Sequence, residues 1–214
     1  MKEKIKVILV DDHAVVRAGF RLLLSSVDHI DVIAEAERGE QACQLYLDKK
    51  PDVIVLDLSM PGIGGLESIR RILLRDNAAK ILVFSVHDEL VYVNRALAAG
   101  AKGYITKNTA PAILVEAIDK IAAGETYIEQ GLRESLPERN KDSDYRALID
   151  SLSAREFDVF RLLAKGLTLH KIADELCLGY KTVANYGTQI KSKLKVSTTA
   201  ELAHIAMVLG IMKG

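Results

Sequence analysis

Four short apolar runs, each closed by a residue that carries chemistry, constrain this chain more than any other feature. Ile5–Val10 ends at Asp11-Asp12, Val53–Leu56 at Asp57, Ile81–Phe84 at Ser85, and Gly103–Thr106 at Lys107. A fifth run, Ile30–Ala36, carries no such residue. Continuous runs of this length, rich in β-branched residues and bounded by Gly, Pro or Asp, read as buried strands. Between them lie stretches with helical spacing: Ala14–Leu24 (Val15, Ala18, Leu22), Glu40–Asp48, Leu66–Leu74 and Glu89–Ala99. The last, Pro111–Ala123, puts Ile113, Ala117, Ile118 and Ile121 on one face.

Strict alternation of strand and helix implies an α/β fold with a parallel sheet covered on both faces. Right-handed crossovers leave few topologies. The expectation is a five-stranded, doubly wound, flavodoxin-like sheet of order 2-1-3-4-5. In that order the first and third strands lie side by side where the winding reverses, and ligands bind beyond the carboxyl ends at such a point. Asp11, Asp12 and Asp57 would then converge, with Ser85 and Lys107 beside them.

Three converging carboxylates repel one another, and a hard divalent cation resolves the conflict. Oxygen-rich sites suit Mg²⁺. Lys107 adds a second positive charge and Ser85 a hydroxyl donor. Such a constellation is suited to receive a phosphoryl group on Asp57, as an aspartyl phosphate. Asp11-Asp12 by itself reads equally as a helix-start signal; the company of Asp57 and Lys107 favours the site. The glycines at 62, 64 and 65 lack the P-loop pattern and read as turn residues. His13 and His87 read as surface or loop residues, His87 near enough to the phosphoryl position to affect phosphate lifetime.

These residues resemble the receiver domain of two-component response regulators. The motifs are Asp11-Asp12 after the first strand, Asp57 before Met60-Pro61-Gly62, Ser85 after the fourth strand, and Lys107 after Gly103-Tyr104. The resemblance implies that Asp12 and Asp57 touch Mg²⁺ directly and Asp11 through water, the main-chain carbonyl of Ser59 completing the shell. It also implies that Tyr104 turns inward when Ser85 is drawn to the phosphoryl group.

Residues 125–150 change character: charged side chains dominate and Leu136-Pro137 interrupts them. They read as a tether, with a short helical turn around Leu132 and Leu136 and an exposed, flexible stretch over 137–144. The expected domains are therefore 1–124, a linker 125–150, and 151–214. The last carries nine Lys/Arg against five Asp/Glu, the remainder twenty against twenty-four, so a polyanion partner belongs with the last part.

That part reads as four short helices. Ser153 and Glu156 have capping-box spacing, Thr168 is a second N-cap candidate, and Gly179 marks a tight turn. The third helix, Lys181–Leu194, divides into Val183, Tyr186, Ile190 and Leu194 toward the core and an opposite polar face. Lys181, Thr182, Ala184, Asn185, Thr188, Lys191 and Ser192 suit a major groove, though an ordinary solvated face reads the same way in isolation. Leu152-Ser-Ala-Arg-Glu156, Gly166-Leu-Thr168, Lys171-Ile-Ala173, Lys181-Thr-Val183 and Ile190-Lys-Ser-Lys-Leu194 resemble a LuxR-type helix-turn-helix domain. The two halves together are similar to the NarL/FixJ group of response regulators.

That resemblance implies phosphorylation by a cognate histidine kinase, binding of double-stranded DNA, and a homodimer through the Thr198–Leu209 helix. Gly187 departs from the family where a cation is common, which predicts weakened DNA binding. A regulator whose helical domain binds protein is the alternative. An aspartyl phosphatase usually carries a second carboxylate two residues after its nucleophile; Ser59 stands there instead, so a general enzyme is not expected. Cys43 and Cys177 read as buried thiols, not a disulfide. No apolar run of spanning length and no signal peptide are visible, so a cytoplasmic protein without membrane contact is the default expectation.

Overall fold

The structure is a computed structural model, and it describes residues 3–109, 111–134 and 143–212. The chain divides into two compact units, residues 1–135 and 136–214.

In the first unit, β1 (Ile5–Val10), β2 (Ile30–Ala36), β3 (Val53–Leu56), β4 (Ile81–Ser85) and β5 (Gly103–Thr106) alternate with α1 (Ala14–Ser25), α2 (Gly39–Lys49), α3 (Gly64–Arg75), α4 (Leu90–Ala98) and α5 (Pro111–Ala122). All strands pair in parallel. The order is β2-β1-β3-β4-β5 with a sixth strand, β6 (Tyr127–Ile128), added beside β5. The expected five-strand order is thus present with one extra edge strand. β6 and α6 (Gln130–Glu134) occupy the start of the stretch expected as tether. The expected helical turn at Leu136 and most of the expected flexible stretch, 135–142, lie outside the described residues.

Pleat alternation sends Val7, Leu9, Val53, Val55, Leu82, Phe84 and Ile105 to one face, where Leu24 of α1 and Leu114, Ala117, Ile118 and Ile121 of α5 cover them. Each such aliphatic side chain contributes roughly 1.5–3 kcal/mol by leaving water. Phe20 of α1 meets Phe84 edge-on at 4.5 Å. The stripe that announced α1 is not this buried face: Val15 is 87% and Leu22 74% exposed. β1, β3 and β4 are buried almost throughout, as central parallel strands are.

The second unit contains α7 (Ser143–Asp150), α8 (Ala154–Ala164), α9 (Leu169–Glu175), α10 (Tyr180–Leu194) and α11 (Thr199–Val208). α7 lies in the stretch expected as tether; the other four match the expected helices. Ser153 and Glu156 form the capping box, and Thr168 caps α9. Thr198 and Glu201 form a second box that the sequence reading did not single out.

The α9–α10 turn contains Gly179, as expected, at the N-cap of α10, and its left-handed residue is Cys177 (φ 51). Two details differ from expectation. Cys177 is exposed, so only Cys43 is a buried thiol, and both are free. Finally, α10 buries Val183, Gly187, Ile190 and Leu194, while Tyr186 is half-exposed. At 3.6 residues per turn, positions 186 and 187 straddle the stripe, and packing against Leu163 of α8 selects Gly187.

Candidate functional site

Adjacent strands deliver the acidic residues. The Asp57 amide donates to the carbonyl of Val10 and the Asp11 amide to that of Ala36, so both carboxylates stand at neighbouring strand ends. On the other side of β3, the Lys107 amide donates to the Ser85 carbonyl. Gly65 lets α3 begin close by: a Cβ there would fall on the Asp57 carbonyl oxygen and Leu58 Cα.

Lys107 Nζ lies 2.6 Å from Asp11 Oδ2 and 2.7 Å from Asp57 Oδ2. The amides of Leu58 and Ser59 donate to the other Asp57 oxygen at 2.7 and 3.3 Å. Burial pushes the Asp57 carboxyl above its ordinary range, against the pull of Lys107. Burial also opposes charge on Lys107, yet Asp57 and Asp11 outweigh it and hold the ammonium above the ordinary lysine range.

Asp11, Asp12, His13 and Asp57 can each place one ligand atom within 4.8 Å of all the others. The buried Oδ1 of Asp12 accepts no hydrogen bond, although His13 Nδ1 stands 2.8 Å away. An unsatisfied buried carboxylate oxygen beside two further carboxylates fits a hard divalent cation. His13 belongs to this cluster more closely than expected: its amide donates to Asp11 Oδ1 at 2.9 Å, while its ring is largely exposed.

Ser85 is fully buried and its Oγ accepts from the His87 amide at 3.4 Å. Tyr104 is also fully buried; its hydroxyl donates to the His87 carbonyl at 2.8 Å. Tyr104 thus takes the inward position, beside the loop that follows β4. Burial pushes its phenol far above the usual range. His87 is a loop residue but not a surface one. Its ring stacks on Tyr92 at 4.0 Å and its Nε2 hydrogen-bonds Ser59 Oγ at 2.8 Å, tying the loop after β3 to the loop after β4. A lone histidine between strand and helix gives no sequence signal for such a link.

In the second unit, Lys181, Thr182, Asn185, Thr188 and Ser192 are exposed on α10, and Ala184 and Lys191 are half-exposed. Thr188 spends its hydroxyl on the Ala184 carbonyl, 3.2 Å away. Lys193, on the same helix, pairs instead with the buried Glu156 at 2.7 Å. His170 of α9 and the exposed Tyr180 at the start of α10 stack at 4.5 Å, an aromatic pair beside this face that periodicity did not pick out.

Residues 7–119 match the response regulator receiver domain, and residues 150–206 match bacterial regulatory proteins of the luxR family. The chain is 40% identical over 210 residues to the transcriptional activator protein ExaE of Pseudomonas putida, covering 97% of this chain and 98% of that one. It is 36% identical to the response regulator UvrY of Escherichia coli over 213 residues, 97% and 95% of the two chains. Among solved structures it resembles RcsB of Salmonella enterica serovar Typhimurium bound to promoter P1flhDC with the phosphomimetic BeF3⁻. There the TM-score is 0.67 at 25% identity, over 98% of this chain and all of that one. A two-component response regulator of the LuxR family from Aurantimonas is 40% identical with a TM-score of 0.60, over 62% of this chain and 94% of that one.

Proposed function

The chain belongs to the response regulators that join a receiver domain to a LuxR-type DNA-binding domain and control transcription, and from that premise we propose that Asp57 is its phosphoacceptor. One observation carries the reading: Lys107 bridges Asp11 and Asp57 at the carboxyl ends of β1 and β3, beside an Asp12 oxygen that accepts no hydrogen bond.

A carboxylate oxygen of Asp57 attacks the phosphorus of a phosphohistidine on a partner kinase. The P–N bond breaks, and the histidine nitrogen leaves with the electron pair. Lys107 and the Ser85 hydroxyl then meet the new phosphoryl oxygens, lowering the charge that builds there. Asp11, Asp12, Asp57 and the main-chain carbonyl of Ser59 would hold Mg²⁺, which when bound neutralises negative charge on the phosphoryl oxygens. Tyr104 and Ser85 are the switch pair. Each Asp57 takes one phosphoryl group and loses it slowly to water, so the protein is not a turnover enzyme.

DNA is contacted by Lys181, Thr182, Ala184, Asn185, Thr188, Lys191 and Ser192, a role supported by the exposure of five of them and the partial exposure of Ala184 and Lys191. The RcsB precedent supports DNA binding as a dimer, since that protein is solved as two dimers on two parallel DNAs. Acetyl phosphate with Mg²⁺ should add one phosphoryl group, seen by intact mass, and raise both the dimer fraction and DNA affinity at fixed salt. Asp57→Asn should abolish all three responses. Undiminished labelling of that variant would remove the assignment.

A further inference from the structure

The stretch that leads from the first unit toward the second is not free where it starts. It pairs with β5, the strand that carries Tyr104 and delivers Lys107. Tyr127 and Ile128 lie in register with Gly103 and Tyr104. The Tyr127 amide donates to the Lys102 carbonyl, and the Glu129 amide to that of Tyr104, each at 3.0 Å.

The Glu129 carboxylate then closes a clasp. Its Oε2 accepts from the Thr106 amide at 2.8 Å and from the Thr106 hydroxyl at 3.0 Å. Thr106 is 7% exposed and immediately precedes Lys107. Gly103 makes the approach possible: a Cβ there would stand 2.6 Å from the Tyr127 carbonyl oxygen. The chain therefore spends a glycine inside a strand, which costs about 0.5–1 kcal/mol relative to alanine, at the point where β6 docks.

Resting on the phosphoacceptor reading above, we infer that Glu129 is a positioning residue that couples the phosphorylation site to the docking of residues 127–134. The inward Tyr104, the Lys107 bridge and docked β6 share one backbone: a carbonyl of Tyr104 and an amide of Thr106 serve β6, while the side chains of Tyr104 and Lys107 serve the site. A shift of β5 that suits one set of bonds is felt by the other. Docking of β6 and occupancy of the phosphoryl position therefore favour each other, and the coupling is reciprocal. Residues 127–134 are held more firmly when the site is filled than when it is empty.

Hydrogen exchange on the full chain with Mg²⁺, with and without BeF3⁻, tests this. Exchange in residues 125–134 should slow by about five-fold on adding BeF3⁻, the effect of one typical net hydrogen bond. Glu129→Ala should weaken the BeF3⁻ titration, followed at the peptide containing Asp57, by about the same five-fold and abolish the response at 125–134. Glu129→Gln keeps an oxygen that can accept from the Thr106 amide, and should retain at least half of the response. The inference is overturned if the Asp57 peptide responds while residues 125–134 do not, or if Glu129→Ala binds BeF3⁻ as the parent does. Silence at the Asp57 peptide itself would instead remove the phosphoacceptor reading, and this inference with it.

Discussion

Replacing Lys107 with Met keeps most of the stem and deletes the charge that two carboxylates share. Two unit charges about 4 Å apart interact by about 4 kcal/mol at an effective dielectric constant near 20. Lys107 makes two contacts closer than that, at 2.6 and 2.7 Å. Desolvating the ammonium returns much of this gross attraction, and removing one partner of a buried pair typically costs about 3–5 kcal/mol.

The cost depends on pH. Asp57 keeps its proton to higher pH folded than unfolded, because it is buried. Between those two values the folded state binds more protons, so stability falls as pH rises through that window. Without Lys107 the window widens upward. The deficit of Lys107→Met should therefore be larger at pH 8 than at pH 5 and shrink as pH falls toward about 4, the unfolded carboxylate value. Urea unfolding of the full chain, following the receiver transition in EDTA at pH 8 and pH 5, reads this directly. A loss of about 3 kcal/mol or more at pH 8, smaller at pH 5, is expected. Saturating Mg²⁺ should restore part of it, since a ligand at 100 times its Kd stabilises by about 2.7 kcal/mol. A variant as stable as the parent at pH 8 without metal, or a deficit that grows on acidification, would refute the electrostatic account.

Gly65→Ala should lower both stability and phosphorylation by acetyl phosphate, because its Cβ would meet the main chain at Asp57 and Leu58; a fully labelled, stable variant would contradict the close approach. Ser153→Ala should destabilise the second unit by about 1 kcal/mol in thermal unfolding, through loss of the α8 cap. Gly187→Ala should stabilise it by about 0.5–1 kcal/mol, since its Cβ would stand an ordinary 3.7 Å from Leu163; destabilisation would show that α10 and α8 are packed too closely for it. Lys193→Met should leave Glu156 buried without its cation. Glu156 is held below the ordinary range, burial opposing and Lys193 with Ser153 prevailing, so its contribution is present above the unfolded value and lost as pH falls through the folded one. The variant should be less stable than the parent at pH 6, and the deficit should shrink toward pH 3, read by urea unfolding followed by circular dichroism.

Much of this molecule is written locally. Strand runs, helical spacing and the residues that close each strand are properties of neighbouring positions, so Asp11, Asp12, Asp57, Ser85 and Lys107 could be picked out, and their convergence expected, once alternation implied a parallel sheet. Ser153 with Glu156 and Thr168 were legible for the same reason, because a cap is complete within four residues. What the sequence left open depends on partners far along the chain. Whether Tyr186 or Gly187 faces the core was decided by Leu163 of a different helix. Cys177, exposed in the α9–α10 turn, could not be told from a buried helical thiol by spacing alone. That residues 127–129 join the sheet could not be read from two residues of strand; it needed the open edge of β5, a glycine opposite, and the Thr106 groups waiting for Glu129. Short-range pattern chose the elements and their chemistry. Long-range packing chose which marginal residues turn inward, because for them the local energies are nearly equal and the neighbour supplies the difference.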